Sequence, residues 1–210
     1  MDEFVDILHP SGETAGETAL KSEAHRLGLY HRCFHCWIAD PEEGRLFVQR
    51  RALQKDTWPG RLDTTAAGHL SAGESALDGL RELEEELGLR PDPERLVRLG
   101  TRRVEQDIPA GTDREFHDVF LLLQSLRPGM IRLQLEEVEA LLSLGLSDVE
   151  RLYAGEAVRA EQWTADGAAV ETEVRLEEFV PNDDLYALTV SRAVSAYLSG
   201  EPVERTFRPF

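Results

Sequence analysis

The sequence predicts an α/β (α+β) fold in which helices sandwich a mixed β-sheet. An amphipathic helical pattern at residues 75–87 lies between strand-like segments on both sides, and further helical patterns follow near the C-terminus. Helices with one apolar stripe need a second layer to bury that stripe, and a sheet covered by helices supplies it. The 210 residues are sufficient for one well-buried domain with a small appendage.

The composition is that of a globular protein with an acidic surface. Hydrophobic residues make up 41% and charged residues 30% of the chain, and 40 acidic against 23 basic side chains give a formal net charge of −17. This charge opposes binding to nucleic-acid polymers and anionic membranes. Apolar runs stay below the ~18 residues that span a bilayer, and the acidic N-terminus lacks a secretory pattern. We therefore expect a cytoplasmic monomer or homodimer.

Before the central segment, the sequence indicates a short strand, a turn region and a β-hairpin. Residues 4–8 have a strand pattern, and residues 10–18 are rich in Gly, Thr and Ser. The hairpin joins residues 32–38 to residues 45–50 through the turn sequence DPEEG. A further short strand at 62–67 leads into the central segment.

After the central segment, the patterns alternate between strands and helices. They comprise two strands at 96–105 and 116–124 joined by a loop at 107–115, a helix at 147–153 capped by Ser147, a strand-like run at 170–176 within an otherwise irregular stretch, and an amphipathic terminal helix at 183–198.

The central segment, residues 68–89, begins as a Gly-punctuated loop and continues as a helix. Ser75 is the predicted N-cap, and Gly88 follows the last helical residue, where a left-handed conformation is common. Apolar residues recur at steps of three and four and predict one buried stripe, formed by Leu77, Leu80, Leu83 and Leu87. We expect the helix to begin near residues 75–77 and to end near Leu87.

Three carboxylates share one side of this helix. Glu82, Glu85 and Glu86 stand at i, i+3 and i+4, a spacing that brings their side chains together. Such like charges repel each other by about 0.2–0.5 kcal/mol per pair. A hard cation with oxygen ligands would convert that repulsion into a binding site. The alternative is a solvated acidic face.

The segment resembles the Nudix box, G-x5-E-x7-R-E-U-x-E-E-x-G-U, where U is aliphatic. Gly68 to Glu74 fits the first part, and residues 81–89 fit the last nine positions. Six residues instead of seven separate Glu74 from Arg81, and we expect the shortening to be absorbed before the first full helical turn. The resemblance covers roughly residues 30–150.

The resemblance implies a Nudix-type α/β/α sandwich around a mixed β-sheet. We expect an N-terminal extension (1–30) packed on the core, a Nudix domain (31–150) and a C-terminal extension (151–210) in the same globular unit. It implies a Mg²⁺-dependent pyrophosphohydrolase, with Mn²⁺ as an alternative cation. The substrate would be a small anionic diphosphate, either a nucleoside diphosphate derivative or a prenyl diphosphate.

The same resemblance assigns roles to residues at matching positions. Glu82, Glu85 and Glu86 match the metal-binding glutamates, and Arg81 would orient a glutamate. The general base in such enzymes is often a further Glu, and the candidates are Glu115, Glu136 and Glu137. We favour Glu115, at the start of the strand EFHDVFLLL; the alternative is a solvated carboxylate at the end of a loop. The predicted substrate-binding residues are Lys21, Arg51, Lys55, Gly68 and His69.

A narrower resemblance is to type I isopentenyl-diphosphate isomerase, a Nudix relative. The residues in similar order and spacing are Lys21, His25, His31, Arg51, Lys55, His69 and Glu115. In that enzyme histidines and glutamates bind a metal and basic residues hold a diphosphate. Its catalytic cysteine precedes the Gly-His pair, where this chain has Ala67, so isomerisation would lack its acid–base partner.

The patterns YHRxxHxWI and AAGHxSAGE make the chain look more like the isomerase-like hydrolases. Two alternatives stay open, an isomerase and a catalytically silent sensor of a nucleotide metabolite. His25, His31 and His69 could bind metal or form structural hydrogen bonds, and a structural role is favoured for His35 and His117.

The two cysteines, Cys33 and Cys36, are three residues apart on a predicted strand. This spacing directs them to opposite faces, and no second pair completes a zinc site. We expect buried thiols in a reducing compartment.

Overall fold

The computed structural model describes residues 2–182 and 184–208. The strands are β1 (Phe4–Leu8), β2 (Thr14–Leu20), β3 (His31–Asp40), β4 (Arg45–Arg51), β5 (Leu62–Asp63), β6 (Ala66–His69), β7 (Leu96–Ile108), β8 (Gly111–Leu123), β9 (Val138–Gly145), β10 (Val158–Thr164) and β11 (Ala169–Val174). The helices are α1 (Lys21–Leu27), α2 (Arg81–Leu87), α3 (Leu146–Tyr153) and α4 (Tyr186–Leu198).

A mixed sheet forms the centre of the molecule. Its strand order is β11-β10-β9-β4-β3-β8-β7, with β5 pairing with β4 and β6 pairing with β3. Strands β3 and β8 run parallel, and the other pairs in this sheet are antiparallel. The predicted hairpin of β3 and β4 is confirmed. Strands β1 and β2 form a separate two-stranded sheet.

Apolar side chains pack on both faces of the sheet. On one face, Leu83 and Leu87 of α2 pack in a cluster with Phe34 and Ile38 of β3. On the other face, α3 and α4 contribute to a cluster that includes Trp37. Strand β3 is almost entirely buried because both of its faces are covered. The predicted helix–sheet–helix sandwich is confirmed.

Two predictions for the N-terminal half are wrong. Much of the region predicted as a turn (10–18) lies in β2, and α1 follows directly. The single strand predicted at 62–67 is divided into β5 and β6. Thr65 lies between them, and its hydroxyl donates to the Phe47 carbonyl and accepts from the Ile38 amide. In both regions, short polar side chains form hydrogen bonds with nearby backbone groups. Such residues interrupt the alternation of apolar and polar side chains by which a strand is recognised in a sequence.

The loop predicted at 107–115 is also wrong. Strands β7 and β8 form a hairpin whose last pair is Ile108 with Gly111. The residues from 111 to 115 lack hydrophobic alternation because several of them line a polar cavity. As a result, Glu115 lies within β8 and is buried, rather than at the end of a loop.

The helix of the central segment begins later than predicted. A 3-10 turn at Asp78–Leu80 precedes α2, which starts at Arg81. Ser75 does not cap the helix; its amide and hydroxyl donate to Asp78 Oδ2, each at 2.7 Å. Leu77 is 48% exposed and does not join the buried stripe. A 3-10 turn needs 3.0 residues where an α-turn needs 3.6, so it accommodates the shortened box before the first α-helical turn.

In the C-terminal part, β10 and β11 form a hairpin where an irregular stretch with one strand was predicted. Helix α3 begins one residue early, with Gly145 in place of Ser147 at its N-cap. Helix α4 confirms the terminal amphipathic helix, but the predicted start at residue 183 lies outside the described residues. Within the described residues, no helix is long and apolar enough to cross a membrane.

Candidate active site and metal-binding residues

A cavity of about 1230 Å³ lined by many polar side chains lies between α2, β6, β8 and residues 179–182 and 184–187. Its lining contains every predicted site residue. These are the substrate-binding candidates Lys21, Arg51, Lys55, Gly68 and His69, the box residues Arg81, Glu82, Glu85 and Glu86, and the base candidates Glu115, Glu136 and Glu137. The geometry within the cavity divides them into a carboxylate face, a histidine cluster and a basic wall.

The carboxylate face is formed by the buried glutamates of α2. Glu82 and Glu86 are 8% and 4% exposed, whereas the Glu85 side chain is 60% exposed at the cavity rim. Glu86 Oε2 accepts hydrogen bonds from Gln49 Nε2 at 3.1 Å and from the Ala67 amide at 3.3 Å. The helix therefore directs two carboxylates toward β6 and one toward the cavity mouth.

Burial makes both inner carboxylates resist ionisation. Burial, followed by the charge of Glu82, raises the pKa of Glu86 to about 8. Burial also raises the pKa of Glu82 to about 7, although the neighbouring Arg81 opposes the shift. A cation would stabilise these two buried carboxylates as anions, and their oxygen atoms are ligands that suit a hard divalent ion. The donor set of the carboxylate face thus fits a divalent metal.

Gly68 permits the approach of Glu82 to β6. A Cβ atom at position 68 would lie 2.1 Å from Glu82 Cδ and Oε1 and 2.5 Å from Oε2. No side chain fits there while the carboxylate keeps its position. The glycine of the box is therefore explained by close packing against a site carboxylate.

Arg81 ties the start of α2 to the preceding loop and to β6. Its Nε and Nη2 donate to Glu74 Oε1 and Oε2 at 3.2 and 3.3 Å, so the shortened box keeps this contact. Nη2 also donates to the His69 carbonyl at 2.8 Å, and Nη1 contacts Glu82. Glu85 Oε2 lies 3.6 Å from Nη1. Arg81 thereby holds Glu82 in place and joins the carboxylate face to the strand that carries His69.

The histidine cluster consists of His25 from α1, His31 from β3, His69 from β6 and Glu115 from β8. One ligand atom from each residue lies within 4.8 Å of the others, a spacing that could hold a metal ion. Glu115 Oε1 is 3.3 Å from His31 Nε2 and 3.0 Å from His69 Nε2. The three histidine rings have centroids 5.1–5.3 Å apart.

Several polar atoms of this cluster are buried and have no hydrogen-bond partner among the residues that the structure describes. They are His25 Nε2, His31 Nε2, His69 Nε2 and Asp113 Oδ1. Asp113 lies two residues before Glu115 on β8, and its Oδ1 is 3.5 Å from His25 Nε2. Buried polar groups are almost always satisfied, so the convergence of four unsatisfied atoms indicates a site for a bound ion.

The protonation states of the cluster follow from burial and from the contacts of Glu115. Burial, with help from the neighbouring histidines, lowers the pKa of His25 to about 4, and burial lowers the pKa of His69. Burial alone would raise the pKa of Glu115, but the imidazoles of His117, His31 and His69 beside it hold the pKa well below its ordinary value. Glu115 raises the pKa of His31 despite its burial, and burial beside Glu115 raises the pKa of Asp113 to about 9. Metals bind neutral imidazoles and ionised carboxylates, so metal binding would release the proton of Asp113.

A further pair of rings adjoins this cluster. His117 Nε2 is 2.6 Å from Glu115 Oε2, and the His117 ring stacks on His35 with centroids 3.8 Å apart. His35 Nδ1 lies 3.2 Å from the Tyr186 hydroxyl. A structural role was expected for both histidines and stays a prediction, because His35, Glu115 and His117 also offer ligand atoms within 4.8 Å of one another.

The basic wall consists of Lys21, Arg51 and Lys55, each in an ion pair. Lys21 Nζ lies 3.4 Å from Glu3 Oε1, and Arg51 Nη1 lies 3.0 Å from Asp63 Oδ2. Lys55 contacts Glu137. All three cations line the cavity, where an anionic ligand would lie within their reach.

Sequence reasoning did not identify Asp113 or the position of Cys33. Asp113 and Glu115 are two residues apart, the spacing that brings side chains to one face of a strand, so a correct strand assignment would have found the pair. Cys33 is paired with His69 across β3 and β6, and its Sγ lies 3.0 Å from Glu115 Oε1. Cys36 lies on the other face of β3, in the apolar cluster that contains Leu83 and Leu87 of α2. The prediction of buried thiols on opposite faces of the strand is therefore confirmed.

Comparisons with known proteins identify the family to which this chain is similar. Residues 29–167 match the NUDIX domain family model. The chain is 32% identical to an uncharacterised Nudix hydrolase of Clostridium acetobutylicum, over 92% of this chain and 97% of that protein. It is 38% identical to an isopentenyl-diphosphate Δ-isomerase of Streptomyces griseus, over 60% of this chain and 64% of that protein.

A crystal structure of a Deinococcus radiodurans protein superposes with a TM-score of 0.54 at 23% identity. The superposed part covers 73% of this chain and 91% of the Deinococcus chain. This likeness concerns the fold alone. The family match and the Clostridium relative together confirm the prediction of a Nudix pyrophosphohydrolase. The chain belongs to the Nudix family.

Proposed function

We propose that the protein hydrolyses a diphosphate linkage in a small metabolite and that it depends on Mg²⁺, with Mn²⁺ as an alternative. The observation that carries the proposal is the pair of buried carboxylates, Glu82 and Glu86, on one helix of a cavity with a basic wall. Buried like charges have no structural benefit of their own, because each raises the ionisation cost of the other.

The carboxylate face provides the ligands for the cation. A bound divalent ion neutralises phosphate charge, positions the substrate and activates water. Glu82 and Glu86 would hold it from within, and Glu85 would complete the set from the rim. Gln49 orients Glu86 through the hydrogen bond to Oε2, and Arg81 keeps Glu82 beside β6.

The basic wall supports an anionic substrate. Lys21, Arg51 and Lys55 line the same cavity as the carboxylates, and their charges would offset those of a diphosphate. The strongly acidic chain would otherwise repel such a ligand. The cavity volume of about 1230 Å³ accommodates a nucleoside diphosphate derivative or a prenyl diphosphate.

We further propose that the histidine cluster holds a second divalent cation of the transition series. Imidazole nitrogen suits such ions better than it suits Mg²⁺. The ligands would be His25, His31, His69, Asp113 and Glu115.

Glu115 is also the predicted general base, but its contacts favour the ligand role. Its two oxygens already face His31, His69 and His117, so neither is free to accept a proton from water. Glu136 and Glu137 line the cavity on the side of Lys55 and are the better candidates for the base. Loss of activity in Glu137→Gln or Glu136→Gln with intact metal binding would support that assignment.

A phosphate-release screen over a panel of nucleoside diphosphate derivatives and prenyl diphosphates tests the proposal. We expect Mg²⁺-dependent turnover by the wild type and a loss of at least about 100-fold in Glu86→Gln, because the variant removes a ligand charge. The matched control is Glu84→Gln on the same helix, whose side chain is about half exposed and pairs with Arg90. Equal activity in Glu86→Gln and Glu84→Gln would contradict the proposal.

The position of Cys33 favours an isomerase as the second candidate function. Ala67 occupies the place that matches the isomerase cysteine, but the Cys33 thiol reaches Glu115 from the neighbouring strand. The Cys33 thiol lines the same cavity and could donate a proton to carbon. Isomerisation of isopentenyl diphosphate by the wild type, lost in Cys33→Ala, would support this function, and absence of turnover would exclude it.

A further inference from the structure

We propose that Asp184, Arg102 and His117 form a hydrogen-bonded relay that positions the Glu115 carboxylate within the histidine cluster. The inference rests on the proposed ligand role of Glu115 and extends that site into the C-terminal part of the chain. Asp184 lies beyond residues 29–167, the range that matches the NUDIX domain model. The relay thus links the cluster to a segment that the family match does not cover.

The outer step of the relay is an ion pair with two hydrogen bonds. Arg102 Nε donates to Asp184 Oδ2 at 2.5 Å, and Nη2 donates to Oδ1 at 2.8 Å. Arg102 is only 8% exposed, and its Cζ lies 4.0 Å from the centroid of the Tyr186 ring. A bidentate pair fixes the plane of a guanidinium as well as its charge. Asp184 therefore determines where the remaining nitrogen of Arg102 points.

The inner step determines the tautomer of His117. Arg102 Nη1 lies 3.2 Å from His117 Nδ1. A guanidinium can only donate hydrogen bonds, so Nδ1 accepts and the neutral ring carries its proton on Nε2. That N–H faces Glu115 Oε2 at 2.6 Å and donates to it. Because both ring nitrogens are engaged, His117 acts as a positioning residue and does not bind the metal itself.

The relay leaves one oxygen of Glu115 directed at the cluster. Its Oε2 is held by His117, and its Oε1 faces His31 and His69. Without Asp184, the Arg102 plane is no longer fixed and His117 Nδ1 loses its donor. The other tautomer of His117 would turn a lone pair toward Glu115 and displace the carboxylate. Hydrogen-bonding partners of metal ligands typically contribute 10–100-fold to metal affinity.

Titration of the metal-free, full-length protein with Co²⁺, followed by visible absorption, tests the relay without any substrate. The variant His69→Ala assigns the signal, since removal of a cluster histidine should abolish it. We expect Asp184→Asn to weaken Co²⁺ binding about 10-fold and His117→Phe to weaken it by 10–100-fold with altered bands. His117→Gln should stay within about threefold of the wild type, because its amide can donate to Glu115.

The control for Asp184→Asn is Glu171→Gln, which removes one charge from an exposed pair with Arg159. It should leave Co²⁺ affinity unchanged, and thermal melts should show that both variants remain folded. Wild-type affinity in both Asp184→Asn and His117→Phe would overturn the relay, as would a signal that survives His69→Ala. A failure of the proposed hydrolysis would appear separately, as absence of phosphate release by the wild type.

Discussion

The substitution Gly68→Ala tests whether the rate of hydrolysis depends on the distance between the Glu82 carboxylate and β6. The new Cβ would lie 2.1 Å from Glu82 Cδ, whereas ordinary van der Waals contact begins at 3.4 Å. The difference requires the carboxylate to retreat by about 1.3 Å. A misplacement of about 1 Å at a reacting site can lower the rate by about 100-fold. We therefore expect kcat for diphosphate hydrolysis to fall by about 100-fold.

The backbone itself should tolerate this change. Gly68 does not adopt a positive φ, so an alanine is not strained there. The matched control is Gly129→Ala, which also lacks a positive φ and has no atom within 4 Å of its added Cβ. It should keep wild-type activity.

A double-mutant cycle separates displacement of Glu82 from general damage. Glu82→Asp shortens the side chain, which costs activity in the wild type but relieves the contact in Gly68→Ala. We expect the loss of kcat caused by Glu82→Asp to be at least about tenfold smaller in Gly68→Ala than in the wild type. Additive effects, or wild-type activity of Gly68→Ala, would refute the reasoning.

Three further predictions concern the same cavity. In the metal-free protein, burial raises the pKa of Glu86 to about 8, against an ordinary value of 4.5. Its contribution to the free energy of unfolding is therefore present below pH 4.5 and is lost as the pH rises through 8. Thermal melts should show a Tm that falls over this pH range in the wild type and falls less in Glu86→Gln, and parallel Tm curves for the two proteins would count against the prediction. Insertion of one Ala between Glu82 and Glu85 should abolish Mg²⁺-dependent turnover because it breaks their i, i+3 relation; an active insertion variant would mean that these residues do not act together. Glu115→Gln should lower Co²⁺ affinity by at least tenfold in an absorption titration, and an unchanged Kd would remove Glu115 from the proposed ligand set.

The box residues could be predicted from sequence because their relation is local. Glu82 and Glu86 are one helical turn apart, so any helix through them brings their carboxylates to one side. The start of α2 could not be predicted in the same way. A 3-10 turn at Asp78–Leu80 and an α-helical turn share similar local patterns, and the close contact of Gly79 with Phe34 favours the tighter turn.

The histidine cluster depends on contacts that no local pattern contains. His31 lies opposite Glu115 because β3 and β8 pair in parallel, although the two residues are far apart in sequence. The misassigned loop at 107–115 also hid Asp113, whose strand has polar side chains facing the cavity. The resemblance to the isomerase suggested His25, His31 and His69 as candidates, and the tertiary fold brings them together.

The most direct test of the central claim is a crystal structure with Mn²⁺ and a non-hydrolysable methylene diphosphonate. We expect an anomalous peak within coordination distance of oxygens from Glu82 and Glu86, with the diphosphonate between that ion and the basic wall. Hard divalent cations take such oxygen ligands at about 2.0–2.6 Å. A diphosphonate bound outside the cavity, or a map without an anomalous peak at Glu82 and Glu86, would contradict the proposed catalytic site.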